Sequence, residues 1–490
     1  MSTYFELLLA MRPELMLTLG ALVIIGVDMG WGKRQSDETR MHTAATLGVV
    51  WLLAAIYGVI EVGAPGLMYG PVFRLDALGS ISRLGILLLS LLTVALAPAS
   101  TRLRNPVEFI ALILLGTAGL TLMAVAQQLL VVFLAIELAS LTLYLLTGFD
   151  KRSAASAEAA LKYFLFGGMA AAFLLFGFSL LYGLTGSIDL SVISVTISTL
   201  DGHQPLLLVA LVMIVVAFGF KTAAAPFHLW APDVYQGAPA PAAALIASAS
   251  KLAGLTVFAR LLWPGLSAAS GGPGAEIPLA GWLPVVGILV AASLILGNLA
   301  ALAQRNFRRL LAYSAIAHAG IMLLGVMVAD QVGYGPLVYY AITYGLATVG
   351  AFGVIGILDR AGVGPSLSDL LGLYRRAPLL AATLFVCLLS LAGVPPLAGF
   401  FGKFGIFVAA FKSGGIGGAT GGLAILGIMA SAVGLYYYLV ALKNALVITP
   451  PAGADQKSIP VATSTKLVLI LINLGLLALG LAPSLILSRL

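Results

Sequence analysis

Six ionisable side chains interrupt apolar runs of this chain: Glu137, Lys162, Lys221, Lys251, His318 and Lys403. A charge at the centre of a bilayer costs about 2.5–3.5 kcal/mol on insertion scales, so one stray ion is tolerable but a set of them needs a use. The chemistry these types offer is proton transfer. A medium of low dielectric disfavours the charged ammonium of lysine, and a nearby carboxylate favours it, so moving the carboxylate loads or discharges the amine.

Depth supports a common role. At a rise of 1.5 Å per residue, Glu137 falls roughly 18 Å below the cytoplasmic end of its span, Lys221 about 12 Å, Lys251 about 15 Å and His318 roughly 14 Å. Lys403 falls about 15 Å from the outer end of its span by the same rise. These positions lie near the midplane of a hydrocarbon core ~30 Å thick. The expected division of labour has Glu137 biasing Lys221, Lys221 exchanging protons with Lys251, and Lys403 as the outlet, with Tyr344 and Tyr436 bridging gaps. His318 joins the two halves if it faces the interior; otherwise it is a histidine hydrogen-bonded to a neighbouring helix. Lys162 comes out only about 5 Å below its helix end, where a lysine snorkels to water.

The elements that must position these groups follow from composition. Of 490 residues 61% are hydrophobic and 9% charged, and the mean hydropathy is +1.08, which excludes a soluble globule. Fourteen runs suit spanning helices: 14–31, 42–61, 78–98, 106–125, 127–149, 159–184, 205–229, 241–263, 281–301, 309–329, 335–359, 378–413, 421–443 and 465–486. The expected fold class is an all-α polytopic membrane protein. Glu6 stands where a signal peptide would be basic, and no small-residue cleavage site precedes Asp28, so the first helix is expected to be retained.

One set of loops holds sixteen Lys and Arg, among them Lys33, Arg34, Lys151, Arg152, Arg308, Arg309 and Arg360, against six on the other side, including Arg12, Arg74, Arg83 and Arg260. Basic loops stay cytoplasmic, which puts both termini outside. The net charge of +7 then reflects helix ends at anionic headgroups, not nucleic-acid binding. Arg83 and Asp28, near span ends, read as structural. The single cysteine, Cys387, excludes a disulfide within the chain and a cysteine-ligated cluster. No nucleotide-binding motif occurs, so any redox chemistry belongs to other chains.

Spans four to eight and nine to thirteen form two sets of five, and an odd number forces the second set into the membrane in the opposite sense. The expected organisation is 1–105 with three N-terminal helices, 106–263 and 264–449 as inverted five-helix repeats, and 450–490 as a loop and last helix. In each set the fourth span carries proline beside its lysine: Lys221 precedes Pro226, and Pro395 and Pro396 precede Lys403. Such paired breaks mark functional helices of inverted-repeat transporters. The alternation in SIDLSVISVTIS, 187–198, predicts a short strand or hairpin on the outer surface. The Pro-rich 449–464 predicts a mobile cytoplasmic connection.

Three stretches carry a family resemblance: FGFKTAAAPFHLWAPDVYQGAPAP at 218–241, RNFRRLLAYSAIAHAGIMLLG at 305–325 and SLAGVPPLAGFFGKFGIF at 390–407, joined by FLAIELASLTLYLL at 133–146. With these the chain resembles the antiporter-like membrane subunits of respiratory complex I and their relatives in Mrp-type cation/proton antiporters. DVYQGAP is similar to the N-type branch, and the chain ends without the long lateral helix of L-type members. The resemblance implies that Glu137, Lys162, Lys221, Lys251 and Lys403 form a hydrophilic axis near His318, with Lys162 meeting the glutamate of the preceding helix. It also implies proton transfer driven by NADH-dependent quinone reduction, no cofactor in this chain, and FMN and iron-sulfur clusters in partner subunits. The implied partners are an M-type neighbour and the small K, J and A subunits, in a bacterial inner membrane. The residues leave two function classes open, a proton-pumping subunit and a Na+/H+ antiporter subunit, with a structural scaffold as a third that the coplanar lysines oppose.

Overall fold

The computed structural model describes residues 2–62, 67–69, 72–100, 103–200, 205–271, 281–329, 333–449 and 457–490. In hydrocarbon each backbone N–H and C=O must pair within its own segment, so the apolar runs become helices. An N-terminal group holds α1 (Ser2–Ala10), α2 (Arg12–Gly30), α3 (Asp37–Val62) and α4 (Ala77–Leu96), with β1 (Leu67–Tyr69) and β2 (Phe73–Leu75) forming a small antiparallel pair before α4. A first set follows: α5 (Pro106–Met123), α6 (Leu129–Thr147), α7 (Ala154–Thr185), α8 (Leu190–Ser198), α9 (Pro205–Thr222), α10 (Trp230–Gly237), α11 (Ala240–Ala247) and α12 (Ala249–Arg260). The second set holds α13 (Trp282–Leu302), α14 (Phe307–Met327), α15 (Gly335–Arg360), α16 (Leu373–Arg376), α17 (Pro378–Ala392), α18 (Ala398–Gly414) and α19 (Ala419–Leu446). Helices α20 (Thr463–Leu481) and α21 (Ser484–Leu487) end the chain.

Among the described residues 13 segments are long and apolar enough to cross a membrane, α11 and α12 counting together. The expected span 378–413 is interrupted, as its prolines imply, and forms α17 and α18, parted at Gly393–Leu397. Taken as one interrupted crossing, that pair completes the fourteen expected from the sequence.

The strand expected at 187–198 is instead helix α8. Leu190, Ile193 and Ile197 are buried at helical spacing, and α8 packs on the turn that follows α12. Ser194 donates to the Pro264 carbonyl at 2.9 Å. The apparent alternation of the sequence was a short helix with one buried stripe, an ambiguity inherent in short apolar runs. The middle of the expected loop 449–464, residues 450–456, lies outside the described residues.

The two sets share details that their sequences conceal. A side chain at Gly119 of α5 would strike the Ala139 nitrogen and Ala135 oxygen of α6, at 2.7 and 3.1 Å. A side chain at Gly297 of α13 would strike the Ala317 nitrogen and Tyr313 oxygen of α14, at 2.5 and 3.0 Å. Each glycine lets its helix lie against the backbone of the next at the same offset along the chain. The residue before α6, Gln128, bridges to Asp189, and the residue before α14, Asn306, bridges to Ser366.

Helices α12, α14 and α15 form the interior. The N-terminal group is fastened to them by charge. Asp76 caps α4 by accepting from the Gly79 amide at 2.8 Å, and it takes both Arg260 nitrogens, at 2.6 and 2.9 Å, from the end of α12. Arg83 pairs with Glu14 at 2.9 Å in a fully buried contact and also donates to the Ala10 carbonyl at the end of α1, which bears out its structural reading. Asp28 is likewise structural, paired with Arg40 at 2.7 Å.

Candidate proton-transfer site

The first break follows Lys221. Pro226 lacks an N–H and cannot continue a helix, and α9 stops at Thr222, after which Ala223 takes a left-handed φ of 59°. The freed backbone groups find other partners. The Ala224 amide reaches the Gly219 carbonyl at 2.8 Å, the Ala225 amide donates to Ser293 Oγ of α13 at 2.9 Å, and the Trp230 indole donates to the Phe220 carbonyl at 3.2 Å. Lys221 is thus held in the last turn of α9, and its Nζ donates to Ser140 Oγ of α6 at 3.0 Å. Its stem passes Gly254 of α12, where a Cβ would lie 3.1 Å from Cγ. Glu137, one turn before Ser140, lines the same pocket as Lys221.

Lys251 sits in the first turn of α12, just past the bend at Ser248 that divides α11 from α12. Its ammonium is 3% exposed with the rest of the residue and donates to the Ala315 carbonyl of α14 at 2.6 Å. It also stands 5.3 Å from the Tyr344 ring centroid, close enough for a cation–π contact. Three residues after Ala315, His318 faces inward. Its ring lies 5.0 Å from that of Tyr344, its Nδ1 is 2.6 Å from the Tyr340 hydroxyl and its Nε2 is 3.0 Å from the Tyr438 hydroxyl. The helix of His318 packs against both α12, which carries Lys251, and α18, which carries Lys403.

The second break precedes Lys403. Helix α17 ends on Gly393 at φ 84°, a left-handed cap that glycine takes without the Cβ clash. The Gly399 amide that opens α18 is satisfied by Ser390 Oγ at 3.2 Å. Lys403 reaches back across the break, and its Nζ donates to the Ala392 carbonyl at 3.0 Å. A cation at the C-terminal end of a helix meets carbonyls without intrahelical partners and the negative end of the helix dipole. All three interior lysines therefore rest on neutral oxygens, a hydroxyl and two carbonyls, with Glu137 in the pocket that Lys221 lines.

Lys162 departs from the expected axis. Helix α7 begins at Ala154, with Ser153 as its cap, and so starts earlier than the expected span at 159. The Lys162 side chain, 38% exposed, pairs with Glu158 and Asp233, both at 2.6 Å. Glu137 instead faces α7 at Gly167, Ala170, Ala171 and Leu174, more than a turn beyond Lys162. Sequence spacing had Lys162 at the interface, and its salt bridges agree with that; the implied contact with Glu137 is replaced by Asp233.

Tyr436 is not a bridge. It is 64% exposed on the outer face of α19, whereas Tyr438, two residues on, turns inward to His318. Ser140, Asp233, Tyr340 and Tyr438 were not singled out from the sequence. Ser140 stands one turn from Glu137, and that i, i+3 spacing was the available signal. Tyr340 and Tyr438 had none, since an inward tyrosine in an apolar helix reads as packing. Asp233 stood only within the stretch 218–241 that carries the resemblance. It lies outside the crossing segments, where partial burial pushes its carboxyl up, but hydrogen bonds from Lys162 and Arg309 outweigh this and hold it below the usual carboxylate range.

A sequence profile described as NADH:quinone oxidoreductase/Mrp antiporter, TM, matches residues 126–428. A protein of Acidobacterium capsulatum named NADH-quinone oxidoreductase subunit N 2 is 44% identical, over 99% of this chain and 98% of its own length. A chain of respiratory complex I from Thermus thermophilus with bound aureothin superimposes with a TM-score of 0.77 at 33% identity, covering 97% of this chain and 98% of that one. A chain of the Mrp complex from Dietzia sp. DQ12-45-1b shares the fold, with a TM-score of 0.78 at 20% identity over 98% and 96% of the two chains.

Proposed function

The chain belongs to the NADH:quinone oxidoreductase/Mrp antiporter family of transmembrane subunits, and from that premise we propose that it is the N-type proton-translocating membrane subunit of a bacterial NADH-quinone oxidoreductase. It is a multi-pass protein of the inner membrane with both termini outside. Its partners are an M-type neighbour and the small K, J and A subunits, and FMN and iron-sulfur clusters reside in partner chains that carry the electrons. Residues 106–263 and 264–449 act as inverted halves, with 1–105 and 450–490 as flanking helices.

Within this reading Glu137 sets the charge balance at Lys221, Lys221 and Lys251 exchange a proton across the gap at Gly254, and Lys403 passes it outward. The observation that carries the reading is His318, bonded through both ring nitrogens to Tyr340 of α15 and Tyr438 of α19, on a helix that packs against those of Lys251 and Lys403. A neutral imidazole donates from one nitrogen and accepts at the other, and a tyrosine hydroxyl does both. Tyr340, His318 and Tyr438 therefore form a line along which a proton moves by exchange of donor and acceptor roles. Lys162, with Asp233, lies on the cytoplasmic flank of this line.

The test uses inverted membrane vesicles that contain the assembled complex. K221A is expected to abolish NADH-driven acidification of the lumen, read with a pH-sensitive dye, with the complex still present in the membrane. Undiminished acidification by K221A overturns the reading. Acidification that requires added Na+ assigns the chain to the cation/proton antiporter class instead.

A further inference from the structure

Asp233 ties three elements together with one carboxylate. Its Oδ2 accepts from Lys162 of α7 at 2.6 Å and its Oδ1 from Arg309 of α14 at 2.7 Å, while Asp233 itself belongs to α10, beyond the break that follows Lys221. Each cation has a second anchor close by. Glu158 holds Lys162 at 2.6 Å, and Gln236 Oε1 holds Arg309 at 3.1 Å. Either contact to Asp233 can therefore open without stranding a charge, which would be costly in a partly buried place.

A mechanical link runs from this carboxylate to the relay. Helix α10 lies close on α7, since a side chain at Gly237 would come within 2.4 Å of the Ala155 carbonyl. Trp230, in the first turn of α10, stacks on Tyr163, the neighbour of Lys162, with centroids 4.4 Å apart and planes 8° from parallel. The same indole donates to the carbonyl of Phe220, the residue before Lys221. Movement of α10 is thus passed to the turn that aims Lys221 at Ser140.

We propose that Asp233 is a positioning residue for Lys221, and that transfer of Lys162 from Asp233 to Glu158 alone shifts α10 and with it the turn carrying Lys221. This inference rests on the proton-translocation reading. Asp233 pairs with Lys162 and Arg309, neither of them on the line of transfer, and it acts through Trp230 and the break at 223–229.

In inverted vesicles holding the assembled complex, D233N is expected to lower NADH-driven acidification about fivefold, the size of effect seen when a coupling contact is removed, and D233E to restore most of it. In a K162Q background D233N is expected to cost clearly less than it does alone, because the pair with Lys162 is already gone and only the contact with Arg309 is left to lose. Parental acidification by D233N overturns the proposal, as does a double variant whose loss is the product of the single losses. If D233N prevents assembly, W230F carries the test: it leaves a smaller aromatic ring to face Tyr163 but removes the N–H to Phe220, and it is expected to lower acidification while parental rates overturn the link. K221A, run alongside, separates the two ideas. Loss of acidification in K221A with parental D233N refutes the role of Asp233 alone, and parental K221A refutes the relay.

Discussion

Ser140 and His318 stand at the same place in their helices, each eleven residues after the first residue of α6 and of α14. By the same register Glu137 corresponds to Ala315. The first half thus presents a carboxylate and a hydroxyl to Lys221, whereas the second presents a backbone carbonyl to Lys251 and an imidazole one turn on. A carboxylate can change its charge or move; a helix carbonyl does neither. The adjustable end of the line is therefore at Lys221.

This asymmetry predicts unequal effects of two substitutions. E137Q removes a bias but leaves the relay groups in place, and acidification by the assembled complex is expected to fall only several-fold. K221A removes a proton carrier, and the loss is expected to reach about 10²-fold or more, the range of a lost acid–base group. Equal losses in the two variants would contradict the modulating role of Glu137.

Tyr436 and Tyr438 make a paired test within one turn of α19. Y438F removes the hydroxyl bonded to His318 Nε2 at 3.0 Å and is expected to slow acidification at least about tenfold, with the ring still filling its place. Y436F alters a side chain directed outward and is expected to have no effect. Similar rates in Y438F and parental vesicles would remove the tyrosine from the line.

Gly393 is asked for two things at once, a left-handed turn and room for the Lys403 stem, since a Cβ would lie 3.0 Å from its Cδ. G393A is expected to cost about 1 kcal/mol or more for the backbone alone and to displace the ammonium from the Ala392 carbonyl. The readouts are a lower thermal midpoint of the purified complex and slower acidification. Loss of stability with parental acidification would show that the contact of Lys403 with the end of α17 is not needed for transfer.

Much of this was legible in the chain because hydrocarbon tolerates few alternatives. Uncharged runs had to be helices, and Lys221, Lys251 and Lys403 stood out against them. Prolines 226, 395 and 396 announced both breaks. What escaped was whatever depends on which way a helix faces. Nothing in YYY at 436–438 says that Tyr438 turns inward. Segment 187–198 has the composition of either element, and its burial against the turn after α12 decides for helix. Lys162 was misplaced with Glu137 because partner choice depends on α10, whose position follows from the break and not from spacing on α7.

The clamp between the N-terminal group and α12 yields a prediction with a definite sign. Burial pushes the Asp76 carboxyl up, but Arg260, the Gly79 amide and Arg74 outweigh it and hold the group below the usual carboxylate range. A folded value lower than the unfolded one, near 3.9, means that the stabilisation is fully present above that pH and is lost as pH falls through the folded value. At pH 7, D76N leaves Arg260 buried without its anion, which is expected to cost about 2–4 kcal/mol, somewhat less than for a fully buried pair. As pH falls below the unfolded value and through the lower folded one, the parental carboxyl becomes neutral as well, so the gap in thermal midpoint between parental and D76N protein is expected to narrow. Thermal unfolding of the detergent-purified complex at pH 7 and at steps down to about pH 3 measures this gap. A gap that stays constant across the range would mean that Asp76 holds α4 through its cap at Gly79 and not through Arg260.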